Sequence, residues 1–536
     1  MDATPSSIGP LSIYPARGHE HLIDESIPAV LERRLPQIAD RPVVTWWEDG
    51  TWDHLTYGAL AEQATLVARA LAAAAEPGDR VLVWGRNSLP YVVMHYAAAM
   101  ANVVLTPLNT LWSDDEVRHA VQLVRPALFF AGDDIRGAAL LPRAVELAGT
   151  VPVTPLGDLL QWAQEQPAAD LPEVRPDDAF LIQFTSGTTG KAKGAVVTHR
   201  AALNGASERN RPDSIIDGDV WLNPVPYHHI GGSCFVMFGA LLSGNAFVLV
   251  DRWDPDKAVE MLLSGQITRV GGVPTMLVDL LARIGDAGKG VRLQSVPLGG
   301  ATVSAALVRR IRAELGAQTL IGYGQSECSL ITSTDVSDDP ETVARTVGRP
   351  IAGTAVRIAD PATSEPVPLG EPGEIQVIAP NVMRGYWEDP QKTAEVFTED
   401  GYLRTGDLGV MDENGYIEFR GRVRDVIIRG GENVYPAEVE ELLTERPDIA
   451  AAVLVGVEDE RLGEKVAGVV VRAPGATVSG DELAEYLTGK VARFKIPVAW
   501  RFVDELPMTA SAKVRRFIVR EETERELAAN PDTLRS

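Results

Sequence analysis

Cysteine is nearly absent: 536 residues hold only Cys234 and Cys328. Two are too few for a disulfide framework or a structural zinc site, and their scarcity points to a reducing compartment. Basic charge is also short, with 50 Lys and Arg against 74 Asp and Glu and a formal charge of −24. Nucleic acid is therefore not expected as a partner, because a phosphate backbone rewards dense positive charge. Long apolar runs are missing too. The segments 91–105 and 235–250 are interrupted by His95 and Asn102 and by Ser243, Gly244 and Asn245, so no stable membrane insertion is expected. The opening MDATPSSIGPLS lacks a basic stretch followed by an apolar core, so no signal peptide and a cytoplasmic location are expected. No internal repeat or low-complexity tract is visible. No glycine cluster reads GxGxxG after a strand with an acidic residue at the distance a dinucleotide site requires, which weighs against a redox enzyme.

What is present is the composition of a globular chain, 45% hydrophobic and 23% charged. Its length calls for roughly two to four domains or subdomains. Short strands are predicted over 42–47 and at Leu55, around an Asp49-Gly50 turn. Thr56 can cap a helix on which Leu60, Ala64, Val67 and Leu71 share one face. A strand over 80–84, a helix over 89–101 and a strand over 103–106 follow. This alternation predicts a parallel, doubly wound sheet. The cadence returns over 199–250 and 255–284, giving two α/β lobes. From about residue 348 short β segments separated by Gly, Pro, Asp and Asn predict a small β-rich subdomain, and the last 110 or so residues form a unit with its own core.

The densest chemistry lies in residues 184–194, FTSGTTGKAKG, which follow the apolar run 179–182. Glycine lets backbone N–H groups turn toward an anion, the hydroxyls of Thr185, Ser186, Thr188 and Thr189 add donors, and Lys191 and Lys193 add charge. A polyphosphate is the expected ligand. The stretch is no NTPase P-loop, since four residues past Gly187 stands Ala192. Another apolar piece follows Gly194, so the loop is predicted to join two strands. A flexible linker has the same residue types, but two lysines and apolar flanks favour the phosphate grip.

Five further segments accompany it in order: VPYHHIGG at 225–232, GYGQSE at 322–327, GYLRTGD at 401–407, GRVRDVIIRGGENVYPAEVE at 421–440 and PMTASAKVRR at 507–516. Together the six resemble the core motifs of the adenylate-forming superfamily, most of all its acyl-CoA synthetases, over roughly residues 30–520. The resemblance implies an α/β fold. Its large N-terminal domain, 1–423, would contain two doubly wound subdomains and a β-rich one. A small mobile α+β domain, 424–536, would follow a hinge at Arg424. It also implies a carboxylate–CoA ligase using ATP, Mg²⁺ and coenzyme A. The carboxylate is first joined to AMP, and coenzyme A then displaces AMP. The chemical need is plain: oxide is a poor leaving group, AMP a good one, and two anions must be brought together by fixed donors and positive charge.

Carried over position by position, the resemblance gives Thr185, Ser186, Gly187, Thr188, Thr189 and Lys193 to the β- and γ-phosphates. Glu327 would ligate Mg²⁺, and Ser326 would reach the α-phosphate. Tyr323 and Gly324 would sit at the adenine, beside a wall of Gly299, Gly300 and Ala301. Asp407 would accept from both ribose hydroxyls, with Arg422 at the same sugar. Lys513 would bridge carboxylate and α-phosphate oxygens. Gly430 and Gly431 would pass the pantetheine arm of coenzyme A. The sequence departs from the family pattern at Ala192 (usually Pro), Ser326 (usually Thr) and Ala512 (usually Gly).

His229 would gate the acyl pocket, although His228 beside it leaves open which ring points inward. Gly232, Ser233, Val273, Gly299, Gly324 and the surroundings of Cys328 and Leu330 would line that pocket. Small and apolar, they suit a fatty or aromatic acid without fixing its length. Ile230 to Ser233 hold no Asp to pair with an α-amino group, which disfavours amino-acid activation. An enzyme that hands the acyl group to a carrier protein is the alternative, and an inactive nucleotide-binding homologue a more distant one. The residues do not fix the oligomeric state, with a homodimer as one option.

Overall fold

The computed structural model describes residues 9–132, 134–135, 138–185, 192–209, 217–301, 303–430, 432–459, 461–508 and 514–529. Ser186, Gly187, Thr188, Thr189, Lys191, Gly431 and Lys513 lie outside the described residues.

The first hairpin forms where the sequence predicts it. Pro42–Glu48 pairs antiparallel with Thr51–Thr56, and Asp49 and Gly50 take φ of 48° and 80°, the geometry that matches the natural twist of two strands. The Thr56 side chain accepts from the Ala59 N–H, and the helix Tyr57–Ala74 follows with Leu60, Ala64, Val67 and Leu71 fully buried.

Two sheets carry the α/β part. The first has six strands in the order Lys193–Thr198, Ala179–Thr185, Val104–Pro107, Arg80–Trp84, Leu128–Ala131 and Val153–Pro155. All neighbours run parallel except the first pair, the two strands joined through the glycine loop. The second sheet has nine strands. Its parallel centre runs Gln318–Gln325, Ser295–Gly299, Arg269–Val270, Val220–Leu222, Ala246–Val248 and Pro42–Glu48. The sequence left open which sheet the first hairpin joins. It pairs with Ala246–Val248 of the second, some two hundred residues on.

The helix Leu89–Met100 is buried from Tyr91 to Ala99 on every side, as a helix between two layers must be. Its apolar cluster joins Val43 and Phe247 of the nine-stranded sheet to Val81, Leu105 and Phe180 of the six-stranded one. The third sheet is the predicted β-rich one: Ala355–Ala359, Gly373–Ile378, Leu403–Met411 and Ile417–Arg422 in antiparallel order. Ile13–Tyr14 adds an edge strand to it.

Beyond residue 427 the strands Glu432–Val434, Ile427–Arg429, Gly463–Arg472 and Ile449–Asp459 form a further sheet, with Ala499–Val503 parallel to Gly463–Arg472. The helices Pro436–Thr444 and Gly480–Leu487 pack an apolar cluster on it around Val439, Leu483 and Trp500.

Candidate active site

In open α/β sheets ligands bind at the carboxyl ends of the strands, and most of the described candidate residues gather there. Gly299 ends the strand Ser295–Gly299 and sits in register with Gly322 of Gln318–Gln325. Gly300 and Ala301 follow, exposed, and Gly300 lies beside Val273. Tyr323 and Gly324 lie near the end of the strand Gln318–Gln325, and Ser326 and Glu327 form the turn from it into Cys328–Ser333. At Gly324 a Cβ would collide with the carbonyl oxygen of Ser329, so only glycine lets the two strands close here.

The β-rich sheet docks its polar residues against this turn. The Tyr323 hydroxyl donates to Asp407 Oδ2 at 2.8 Å, and the Arg422 Nε stands 3.2 Å from Asp407 Oδ1. Asp407 and Arg422 are direct partners across their strands, and Asp407 is almost fully buried. The Thr405 hydroxyl accepts from the Asp407 N–H at 3.1 Å. Burial, with the Asp407 charge beside it, pushes the Tyr323 hydroxyl well above the usual phenol range, so it stays a donor. A buried carboxylate held by a phenol and a guanidinium is a preformed acceptor for a vicinal diol.

On the other side of the turn, Glu327 Oε1 accepts from the Tyr386 hydroxyl at 2.7 Å. The Lys193 ammonium lies 4.8 Å from the centre of the Tyr386 ring. Lys193 begins the strand leaving the glycine loop, and Thr185, its register partner, ends the strand entering it. The half-buried Glu327 carboxylate is the hard oxygen donor Mg²⁺ requires, and Lys193 lies on the ring of the tyrosine that Glu327 meets. The donor set therefore fits a magnesium nucleotide. Among the described residues no group of three or more His, Cys, Asp or Glu could hold a metal by itself.

The segment around His228 and His229 is built differently. His229 is exposed, and its Nδ1 accepts from the Gly231 N–H at 3.1 Å. The His228 imidazole is the inward one; burial, with His229 beside it, lowers it to about 3. A six-residue π-helix, Gly231–Val236, follows, the kind of irregular turn that often marks a site. A Cβ on Gly232 would strike the carbonyl of Pro226. Cys328 and Leu330, expected near the pocket, are fully enclosed, and Cys328 lies in an apolar cluster with Ala195 and Ile331. Burial pushes the Cys234 thiol up to about 12 and the Cys328 thiol also upward, so both stay protonated and neither serves as a nucleophile.

Arg424 lies in the short turn Val423–Asp425, its Nε 3.7 Å from Asp425 Oδ1. Gly430 closes the turn after Ile427–Arg429 and donates its N–H to Leu462 at 2.7 Å.

Three contributors escaped sequence reading. Tyr386 is one. Asn87 donates to the carbonyls of Val225 and Val250 and accepts from the Tyr227 N–H, while Gln183 donates to the His228 carbonyl. The only sequence signal for the last two is a lone amide beside or within an apolar run.

The profile described as AMP-binding enzyme matches residues 31–387, and that of the AMP-binding enzyme C-terminal domain matches 438–513. The feruloyl-CoA synthase of an Amycolatopsis species is 36% identical over 483 residues, covering 87% of this chain and 93% of that protein. The mitochondrial medium-chain acyl-CoA ligase ACSF2 of Danio rerio is 32% identical, covering 98% and 91%. The solved structure of O-succinylbenzoate coenzyme A synthetase (MenE) from Bacillus subtilis, in complex with ATP and magnesium ion, superposes with a TM-score of 0.78 at 27% identity over 91% of this chain and 98% of that one. The chain belongs to the AMP-binding enzyme family. Within that family it is an AMP-forming acid–thiol ligase of the acyl-CoA synthetase branch, using ATP, Mg²⁺ and coenzyme A. No helix among the described residues is long and apolar enough to cross a membrane.

Proposed function

We propose that this site carries out both half-reactions on a fatty or aromatic acid, with the following division of work. The observation that carries the reading is the stretch 323–327, whose one end meets Asp407 through Tyr323 and whose other end meets Lys193 through Glu327 and Tyr386. Asp407, steadied by Arg422 and Tyr323, accepts the ribose hydroxyls. The wall from Gly299 to Ala301 and the Tyr323 ring hold adenine. Lys193, with the glycine-loop residues from Thr185 to Thr189, holds the leaving pyrophosphate. Glu327 holds Mg²⁺, which when bound neutralises phosphate oxygens.

In the first step a carboxylate oxygen bonds to the α-phosphorus while the bond to the pyrophosphate oxygen breaks. Lys513 supplies the positive charge that brings the two anions together. In the second the coenzyme A sulfur, having lost its proton, bonds to the acyl carbon and AMP departs. The unit 424–536 turns about Arg424 between the steps, with Gly430 and Gly431 lining the thiol's approach and His229 at the mouth of the acyl pocket. A cytoplasmic location is favoured by the scarcity of cysteine.

The test separates the half-reactions. Lys513→Ala should lower adenylation roughly 100-fold to 1,000-fold, the cost of one transition-state donor, while sparing thioester formation from supplied acyl-AMP. Arg424→Pro, which fixes φ at the hinge, should do the reverse. Normal ATP–pyrophosphate exchange in the lysine variant, or equal loss of both steps in the arginine variant, would remove the corresponding role.

A further inference from the structure

The segment from Val382 to Trp387 joins the two α/β sheets at the site. The Met383 N–H donates to the Glu327 carbonyl at 2.7 Å, anchoring the segment to the turn that holds Glu327. The Arg384 N–H donates to Val196, the Val196 N–H to Gly385, and the Trp387 N–H to Gly194, so the same six residues also pair with the strand leaving the glycine loop. These backbone bonds hold Tyr386 in place, and its N–H donates to the Thr393 hydroxyl at 2.9 Å. None of them uses the Tyr386 side chain. That side chain reaches into the site instead, where its hydroxyl donates to Glu327 Oε1 at 2.7 Å and its ring face carries the Lys193 ammonium at 4.8 Å.

We infer that Tyr386 is a positioning residue that couples the carboxylate assigned to Mg²⁺ with the lysine assigned to the polyphosphate, so that metal and nucleotide are bound as one unit. The inference rests on the roles given above to Glu327 and Lys193. Two physical effects combine in it. A ligating carboxylate must present a fixed oxygen, and a hydrogen bond to its other oxygen sets the orientation of the group; loss of such a partner typically costs about 10-fold to 100-fold in metal affinity. A lysine on a flexible stem loses less entropy on meeting phosphate if an aromatic face already confines it. One side chain does both.

The experiment measures binding of a fluorescent ATP analogue to the full chain across a range of free Mg²⁺, with thermal midpoints recorded for every variant. Tyr386→Phe keeps the ring and the backbone bonds and removes only the hydroxyl. It should raise the Mg²⁺ concentration for half-maximal binding roughly tenfold, while the affinity at saturating Mg²⁺ stays within about twofold of wild type, since the ring still confines Lys193. Tyr386→Ala should also weaken binding at saturating Mg²⁺, because Lys193 loses its ring. A purely structural tyrosine would shift affinity equally at all Mg²⁺ concentrations, or not at all, and either result in Tyr386→Phe overturns the inference. A Tyr386→Ala variant that folds and binds like wild type at saturating Mg²⁺ overturns the lysine half. If wild-type binding ignored Mg²⁺, the metal role of Glu327 would fall and the inference with it. Wild-type dependence with an unchanged Tyr386→Phe curve overturns the inference alone.

Discussion

The end of the site proposed for ribose and the end proposed for the acyl group are held by opposite means. At the ribose end side chains hold one another: Tyr323 and Arg422 converge on Asp407, and Thr405 fixes its backbone. At the acyl end side chains hold backbone: Asn87 grips Val225, Tyr227 and Val250, Gln183 grips His228, and the π-helix Gly231–Val236 passes against Pro226 with no room for a Cβ at Gly232. The difference teaches where chemical identity matters. A diol is recognised by a charged acceptor that few substitutions can imitate, whereas an apolar acid is recognised by shape, which many side chains can produce if the backbone stays put.

The comparison breaks first at Asp407. Replacing it by Ala leaves a guanidinium and a buried phenol without their acceptor, and hydrogen bonds to charged groups contribute about 1.5–3 kcal/mol each. The ratio kcat/KM for ATP should fall roughly 100-fold, with KM for the acid unchanged. A drop under about threefold would mean that the ribose is held elsewhere. Gly232→Ala should act in the opposite sense. The new Cβ forces the Pro226 carbonyl away, an overpacking that costs about 1–3 kcal/mol of stability, and it should raise KM for the acid while sparing that for ATP. Equal effects on both substrates would erase the distinction between the two ends.

The smallest effect is on acid sensitivity. Burial lowers His228 to about 3 in the folded chain, against an ordinary value of 6.5. As the pH falls the unfolded chain therefore takes up the proton first. The stability contributed by a neutral His228 is complete above pH 6.5 and is lost on going down toward pH 3. His95 and His199, buried and lowered to about 4, act in the same direction. His228→Asn should flatten the fall of the unfolding free energy, measured by urea titration, between pH 7 and 5 by up to about 1.4 kcal/mol per pH unit. An unchanged slope would show that the imidazole is solvated.

What could be read from the sequence follows the same division. Glu327, Asp407, Tyr323 and Arg422 were legible because chemistry restricts them to particular residue types in ordered motifs. The helix Tyr57–Ala74 was legible because one apolar face and one cap suffice to define it. The hairpin's partner sheet and the edge strand Ile13–Tyr14 were not, since pairing across more than two hundred residues leaves no local periodicity. Tyr386 was hidden for a related reason. Its neighbours Gly385 and Trp387 read as turn and core, and its work is done by a hydroxyl 59 positions away from the carboxylate it meets.

Acid-dependent ATP–pyrophosphate exchange without coenzyme A, run over short, medium, long and aromatic acids, decides whether the site forms an adenylate at all. An adenylate-forming site predicts exchange with at least one fatty or aromatic acid, and AMP and thioester appearing together once coenzyme A is added. Thioester formation with no exchange under any acid, and ADP in place of AMP, would contradict it.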